Sequence, residues 1–278
     1  MAGACQAMKD SAHSLFRSGL LAWLAAGAIV LPQAGRAAAE ETAPVPAAGD
    51  GWVLGVAEVP APQAPGAKVR TTARIEVLAG QQGQGSAPLQ AAAPGQAAQQ
   101  IADGVLDAWV GVLPGEGAAL PPGVHAAALS WSASPMAIMR TDTDIHAWSE
   151  LSGRTVCLSA DGRVSGELTA RFGAIEQIYA SATDALLALR IGQCDAAVQD
   201  EDFLRQLLIF PEWKKFSAQL APYRKAELVR LTREDLSAPR KAAVRQATSP
   251  ERLRELARRQ ARDIAFEVYL DQTVPDCH

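Results

Sequence analysis

Between Thr155 and Val198 the sequence switches repeatedly between strand-like and helix-like patterning, and this alternation limits the fold more than any other feature. Thr155 to Ser159 is a short β-type run, Gly166 to Phe172 reads as a short helix stopped by Gly173, and Ile175 to Ala180 is a second strand. A second helix opens at the capping residues Ser181 or Thr183 and turns Ala185, Leu186 and Leu189 to one side. It ends with Arg190 in its last turn and Gly192 beyond it. Cys194 to Val198 is a third strand. Parallel strands need crossovers of this length, so the pattern predicts a parallel, right-handed α/β sheet.

The first half of the chain is less regular. Trp52 to Val59 alternates like a strand, and Arg74 to Ala79 repeats that pattern, whereas Pro60 to Gly66 and Gly80 to Gly95 are Pro, Gly, Gln and Ala tracts that read as loop. A helical stretch from Ala97 to Gly104 leads into Leu106 to Leu113, an apolar run bounded by Pro114 and Gly115 and expected to be a buried strand. Ala126 to Met139 is extended, and its last four residues open a second unit. Near the far end, Ser249 as N-cap and Pro250 at the first helical position start a long amphipathic helix to about Leu270. This helix is expected to pack back on the first unit.

The first forty residues have the layout of a signal peptide: Lys9 and Arg17, an apolar run from Gly19 to Leu31, then small residues from Ala34 to Ala39. The run is shorter than the roughly 20 apolar residues that span a bilayer. Cleavage after Ala39 is expected, so that 1–39 is removed, 40–50 forms a linker poor in large apolar side chains, and the body enters the periplasm. About 240 residues then remain, enough for one large domain or two small lobes. A net charge of -4 carries no footprint for nucleic acid. The one basic cluster, Arg252, Arg254, Arg258, Arg259 and Arg262, has helical spacing beside Leu253, Leu256, Ala257 and Ile264 and reads as a solvated helix face. Of four cysteines, Cys5 leaves with the signal peptide; Cys157, Cys194 and Cys277 reach an oxidising compartment where a disulfide is allowed. The odd count leaves one thiol over, and Cys277, next to the last residue, is the natural one.

Several segments from Leu106 to Leu208 resemble, in order and spacing, the family 3 extracellular solute-binding proteins, the amino-acid-type periplasmic receptors of ABC transporters. They are Leu106-Asp107-Ala108, Ala128-Leu129-Ser130, the stretch Ile145 to Val156 with Trp148, Leu151, Gly153 and Thr155, and above all Ala185 to Gly192 followed by Asp195 to Glu201. The resemblance implies a type II periplasmic-binding fold: two α/β lobes joined by a double-crossover hinge, with a ligand cleft between them. Lobe 1 is expected from 51–135 plus 230–278, and lobe 2 from 136–229. In the strand order of that fold Cys157 and Cys194 lie on neighbouring strands, and a disulfide between them is expected. The family's loop after the first strand of lobe 2 contacts the ligand carboxylate, which points to Gly162, Arg163 and Ser165. The alternative there is an ordinary polar turn. Its aspartate after the third strand binds the ligand ammonium, which points to Asp200; the alternative is a surface acid at a helix start. Trp109 and Trp131 are candidates for apolar or stacking surface in the cleft, against a buried structural role. The partners implied are a small-molecule ligand and an ABC permease, with the protein itself a monomer.

The sequence departs from this family in lobe 1. The loop Leu113 to Ala119, where amino-acid receptors carry an arginine for the ligand carboxylate, has none, and there is no Lys or Arg between Arg74 and Arg140. The first-lobe helix, usually opened by Gly-Phe-Asp, is not recognisable. Weak or absent binding of common amino acids is therefore expected, with a ligand that is cationic without a carboxylate, largely apolar, or not a small molecule. No enzyme is expected: beyond the leader only His125, His146 and His278 occur, with no nucleophile motif. The remaining catalytic reading on this architecture is a cleft dehydratase, for which Glu116 is the only acid in the first-lobe loop. No cofactor and no metal are expected; Asp142 and Asp144 lack completing ligands and read as a solvated loop. A degenerate binding domain serving as a sensor or docking module in the envelope is the alternative function.

Overall fold

The protein is described here by a computed structural model that covers residues 52–57, 74–81, 88–113, 119–160 and 162–272. The signal peptide at 1–39, the 40–50 linker, the 60–66 tract, Glu116 and Cys277 lie outside these residues. The chain runs β1 (Leu54–Val56), α1 (Ile75–Gln81), β2 (Leu89–Ala91), α2 (Pro94–Ala102), β3 (Ala108–Gly111), β4 (Val124–Ser132) and β5 (Pro135–Met139). Then follow β6 (Thr155–Ser159), α3 (Glu167–Phe172), β7 (Ile175–Tyr179), α4 (Ala182–Arg190), β8 (Ala196–Asp200) and α5 (Glu201–Leu207). The last elements are β9 (Ala218–Leu220), β10 (Glu227–Arg233), α6 (Ala238–Ala247) and α7 (Pro250–Asp271).

Two five-stranded sheets form, in the orders β2-β1-β3-β10-β4 and β7-β6-β8-β5-β9. Each joins a parallel trio, β2-β1-β3 or β7-β6-β8, to antiparallel partners. The expected parallel sheet thus describes the trio, and the whole sheets are mixed. The chain passes from the first sheet to the second between β4 and β5 and returns between β9 and β10. This is an α/β fold of two lobes, one built on each sheet, with two crossings of the chain between them. The central strands of the second lobe, β5, β6 and β8, are buried on both faces, while the edge strand β7 is largely exposed. Met136, Ile138, Cys157 and Ala197 face α4 and α5, while Ala137, Met139, Val156 and Val198 face a core with Leu168 of α3.

Local chemistry accounts for the helices that were expected. Ser181 is the N-cap of α4 and accepts a hydrogen bond from the Asp184 amide; Ser249 caps α7 in the same way through the Arg252 amide, with Pro250 at its start. Cys157 and Cys194 are joined in a disulfide with their Cα atoms 5.8 Å apart.

Three expectations are corrected. Arg74 to Ala79 is not a strand: α1 occupies Ile75–Gln81 and is buried almost all round, at Ile75, Glu76, Val77, Ala79 and Gly80. The 80–95 tract is not all loop, because β2 and the start of α2 lie within it, with Pro94 at the first helical position. Finally, α7 does not pack on the first lobe alone; it lies against α1 and β4 of that lobe and against α4 and α5 of the other. Its buried stripe, Leu253, Leu256, Ala257, Ala261, Ile264, Ala265 and Val268, belongs to one apolar core that runs through both lobes. The opposite face carries the arginines and is solvated, as expected. No described helix is long and apolar enough to cross a membrane.

Candidate functional site

Residues from three elements converge where the lobes meet, at the carboxyl ends of β6 and β8 and the start of α1, the position at which open α/β sheets place their ligands. Arg163 stands just beyond β6, Asp200 ends β8, and Arg74 with Glu76 opens α1 after β1. Arg163 is the centre. One terminal nitrogen donates to both carboxylate oxygens of Glu76, at 2.8 and 2.9 Å, and its Nε donates to both oxygens of Asp200 at 3.3 Å. Glu76 comes from the first lobe and is fully buried, and Arg74 adds a second cation at 3.4 Å. Two arginines and two carboxylates therefore neutralise one another across the seam.

The arrangement sets the protonation of each member. Burial opposes ionisation of Glu76, but the cations of Arg163 and Arg74 outweigh it and hold the carboxyl below its ordinary value of 4.5. Burial also opposes the charge on Arg163, yet Asp200 and Glu76 keep it firmly protonated. Asp200 moves the other way: burial, reinforced by the negative charge of Glu76, exceeds the pull of Arg163 and raises it above 3.8. The two carboxylates hence act on stability with opposite signs. Glu76 contributes stability that is present above about pH 4.5 and is lost as pH falls through its lowered folded value. Asp200 binds its proton more tightly folded than unfolded, so its contribution is present below about pH 3.8 and is lost as pH rises through the raised value. Thermal midpoints measured from pH 3 to 6 should fall more steeply on acidification in Asp200→Asn than in the parent chain. They should flatten in Glu76→Gln.

The space left is small. A cavity of about 40 Å³ is lined by Arg74, Ile75, Trp131, Ser159, Gly162, Arg163, Ala182, Gln199, Asp200, Phe203 and Gln260. Ligand pockets usually measure roughly 300–1,000 Å³. Gln260 reaches the cavity from α7, and Trp131 from β4. Two additional residues in β4 relative to β10 carry Ser130 at a left-handed φ of 51°, and on either side of it Leu129 and Trp131 are both buried. The indole N–H of Trp131 is buried without a hydrogen-bond partner among the described residues.

Of the residues expected at a ligand, Arg163, Asp200, Gly162 and Trp131 line this cavity, whereas Ser165 is exposed outside it. Trp109 lies in a separate core with Ile101, Leu106 and Leu231, and its indole N–H donates to the Ala92 carbonyl at 3.0 Å. Gly162 donates its amide to the Ser159 carbonyl, and a Cβ there would come within 2.8 Å of that oxygen. The amides opening α3 are also taken, since Glu176 accepts from Gly166 at 2.5 Å and from Thr169 at 2.8 Å. An anion cradle in this loop is thus filled by the protein's own carboxylate. Sequence reasoning missed Arg74, Glu76 and Gln260. Asp142 pairs with Arg140 and Asp144 with Arg154 at the surface. Among the described residues no group of three His, Cys, Asp or Glu could hold a metal ion.

No family model and no curated protein sequence matches the chain. Solved structures align with it at low identity. The GluR0 ligand-binding core in complex with L-glutamate is 15% identical over 79% of this chain and 97% of its own, with a TM-score of 0.43. YckB from Bacillus subtilis is 14% identical over 77% of this chain and 92% of its own, at 0.44. The periplasmic VFT2 domain of BvgS from Bordetella pertussis is 16% identical over 63% and 77%, at 0.36.

Proposed function

We propose that the chain is an exported, non-catalytic domain of two-lobed binding type whose seam is held by its own charges, and that it serves as a sensor or docking module in the bacterial envelope. The carrying observation is the position of Arg163 between Glu76 of one lobe and Asp200 of the other. In a solute receptor the ligand brings the charges that reward closure. Here the protein supplies them, and the apolar core along α7 adds to the same contact. Burying an unpaired carboxylate or ammonium in such a site costs several kcal/mol, so a zwitterion entering it must first displace Glu76. Periplasmic location and the lobe boundaries at 135/136 and 229/230 belong to this proposal.

A second reading, the substrate-binding component of an ABC transporter, is favoured by one feature: Arg163 and Asp200 meet at the strand ends, as a carboxylate anchor and an ammonium anchor would. A thermal-shift screen over amino acids, polyamines, organic acids and aromatic metabolites separates the two. A ligand at about a hundred times its Kd stabilises by roughly 2.7 kcal/mol, a shift of several degrees. No such shift is expected. Micromolar binding of an amino acid, abolished by Asp200→Ala, would overturn the charge-locked seam and favour the transport reading.

A further inference from the structure

A second concavity lies away from the seam, between the end of α5 and the solvated face of α7. It has a volume of about 450 Å³ and is lined by Gln206, Ile209, Phe210, Glu255, Arg258, Arg259 and Arg262. Its floor is apolar. Ile209 is 71% exposed, more than any other large apolar side chain of the described residues, while Phe210 beside it packs partly into the main core. Its rim is cationic, with three arginines against the single Glu255. Arg259 is engaged by Glu255, and Arg262 lies 3.4 Å from the adjacent Asp263.

We propose that this groove docks an acidic segment of a partner protein, one that seats a bulky apolar side chain on Ile209 and Phe210 and sets Asp or Glu against Arg258 and Arg262. Charge complementarity selects the occupant. An apolar anchor in a pocket supplies affinity, and a rim of one sign steers the partner and fixes its register. Arginine is suited to the rim because its planar fork grips carboxylates in two-pronged bonds. The volume falls in the range of pockets that enclose a small ligand, and one or two anchoring side chains fill it. A membrane surface fits less well. The site is concave, and Glu251, Glu255 and Asp263 interrupt the arginines along the exposed face of α7, so a flat anionic surface would meet both signs, whereas a short acidic segment can set its carboxylates against Arg258 and Arg262.

The proposal rests on the docking reading above but uses a different surface, so the two can fail separately: solute binding in the seam would overturn the first and leave the groove untouched. The test is selection of a displayed library of random dodecapeptides on the folded, full-length secreted protein, beside a variant carrying Arg258→Glu and Arg262→Glu. Enrichment of sequences that combine Asp or Glu with Leu, Ile, Phe or Trp is expected, with affinity at least tenfold weaker on the variant and falling with salt. Ile209→Ser should weaken binding similarly while the thermal midpoint stays unchanged, because Ile209 is exposed. Absence of acidic enrichment, equal enrichment on the charge-reversed protein, or arginine-dependent binding to vesicles of anionic phospholipid in place of peptide would each overturn it.

Discussion

Arg163→Ala should destabilise the folded protein by about 3–5 kcal/mol, the usual consequence of removing one partner from a buried ion cluster. Two carboxylates, Glu76 and Asp200, would be left facing each other, with Arg74 beside Glu76. For a domain of this size the loss corresponds to roughly 6–20 °C in the midpoint, at about 2–4 °C per kcal/mol. Three features mark the cause as charge and not lost packing. The deficit should shrink as pH falls and the stranded carboxyls take up protons. Adding Asp200→Asn to Arg163→Met, which leaves the Arg74–Glu76 pair in place, should recover much of the stability, since a buried pair replaced on both sides costs little. Arg163→Lys should recover only part, because a point charge cannot serve Glu76 and Asp200 with the separate nitrogens of a guanidinium. Calorimetry of this series decides the matter; a loss below about 1 kcal/mol for Arg163→Ala would mean that the cluster does not hold the seam.

Removing the disulfide is the second large effect expected. Cys157 lies in β6 and Cys194 just before β8, 37 positions apart in sequence, and cross-linking a loop of that size stabilises by roughly 3 to 4 kcal/mol in the chain-entropy description. A chain with both residues changed to alanine should lose about this amount in urea unfolding. Cys157 is fully buried and Cys194 nearly so, so reductant should act slowly on the native protein and fast once it unfolds. Alkylation of the denatured, unreduced secreted protein should modify neither position, and mapping by mass would detect a label on either one if the thiols were free.

Much of the second lobe was legible from residues close together in the chain. β6 begins and ends where its apolar run does, α4 starts at its serine cap, and Gly173 in a left-handed conformation ends α3. These signals are short in range, and the helix-strand alternation repeats them until only a crossover topology is consistent. The candidate site was half legible for the same reason, because Arg163 and Asp200 follow strands whose ends were clear.

Glu76 was illegible. In Arg74-Ile75-Glu76-Val77 a glutamate between two apolar residues reads as the solvent side of a strand, and so few residues cannot separate a period of 2 from one of 3.6. Its partner is 87 positions away, and nothing local marks the pair. The same holds for α7, whose amphipathic stripe could be read but not its partners.

The sequence by itself determined the succession of strands and helices from β6 to β8, the capped starts of α4 and α7, and the chemistry available at two strand ends, because each depends on interactions within a few turns of chain. Only the tertiary structure decided that α1 is a helix, that α7 bridges both lobes, and that the charges in the seam answer one another. The free energy of those choices comes from burial and ion pairing between segments distant in sequence. A short apolar stripe is compatible with several such partners until the whole chain has folded.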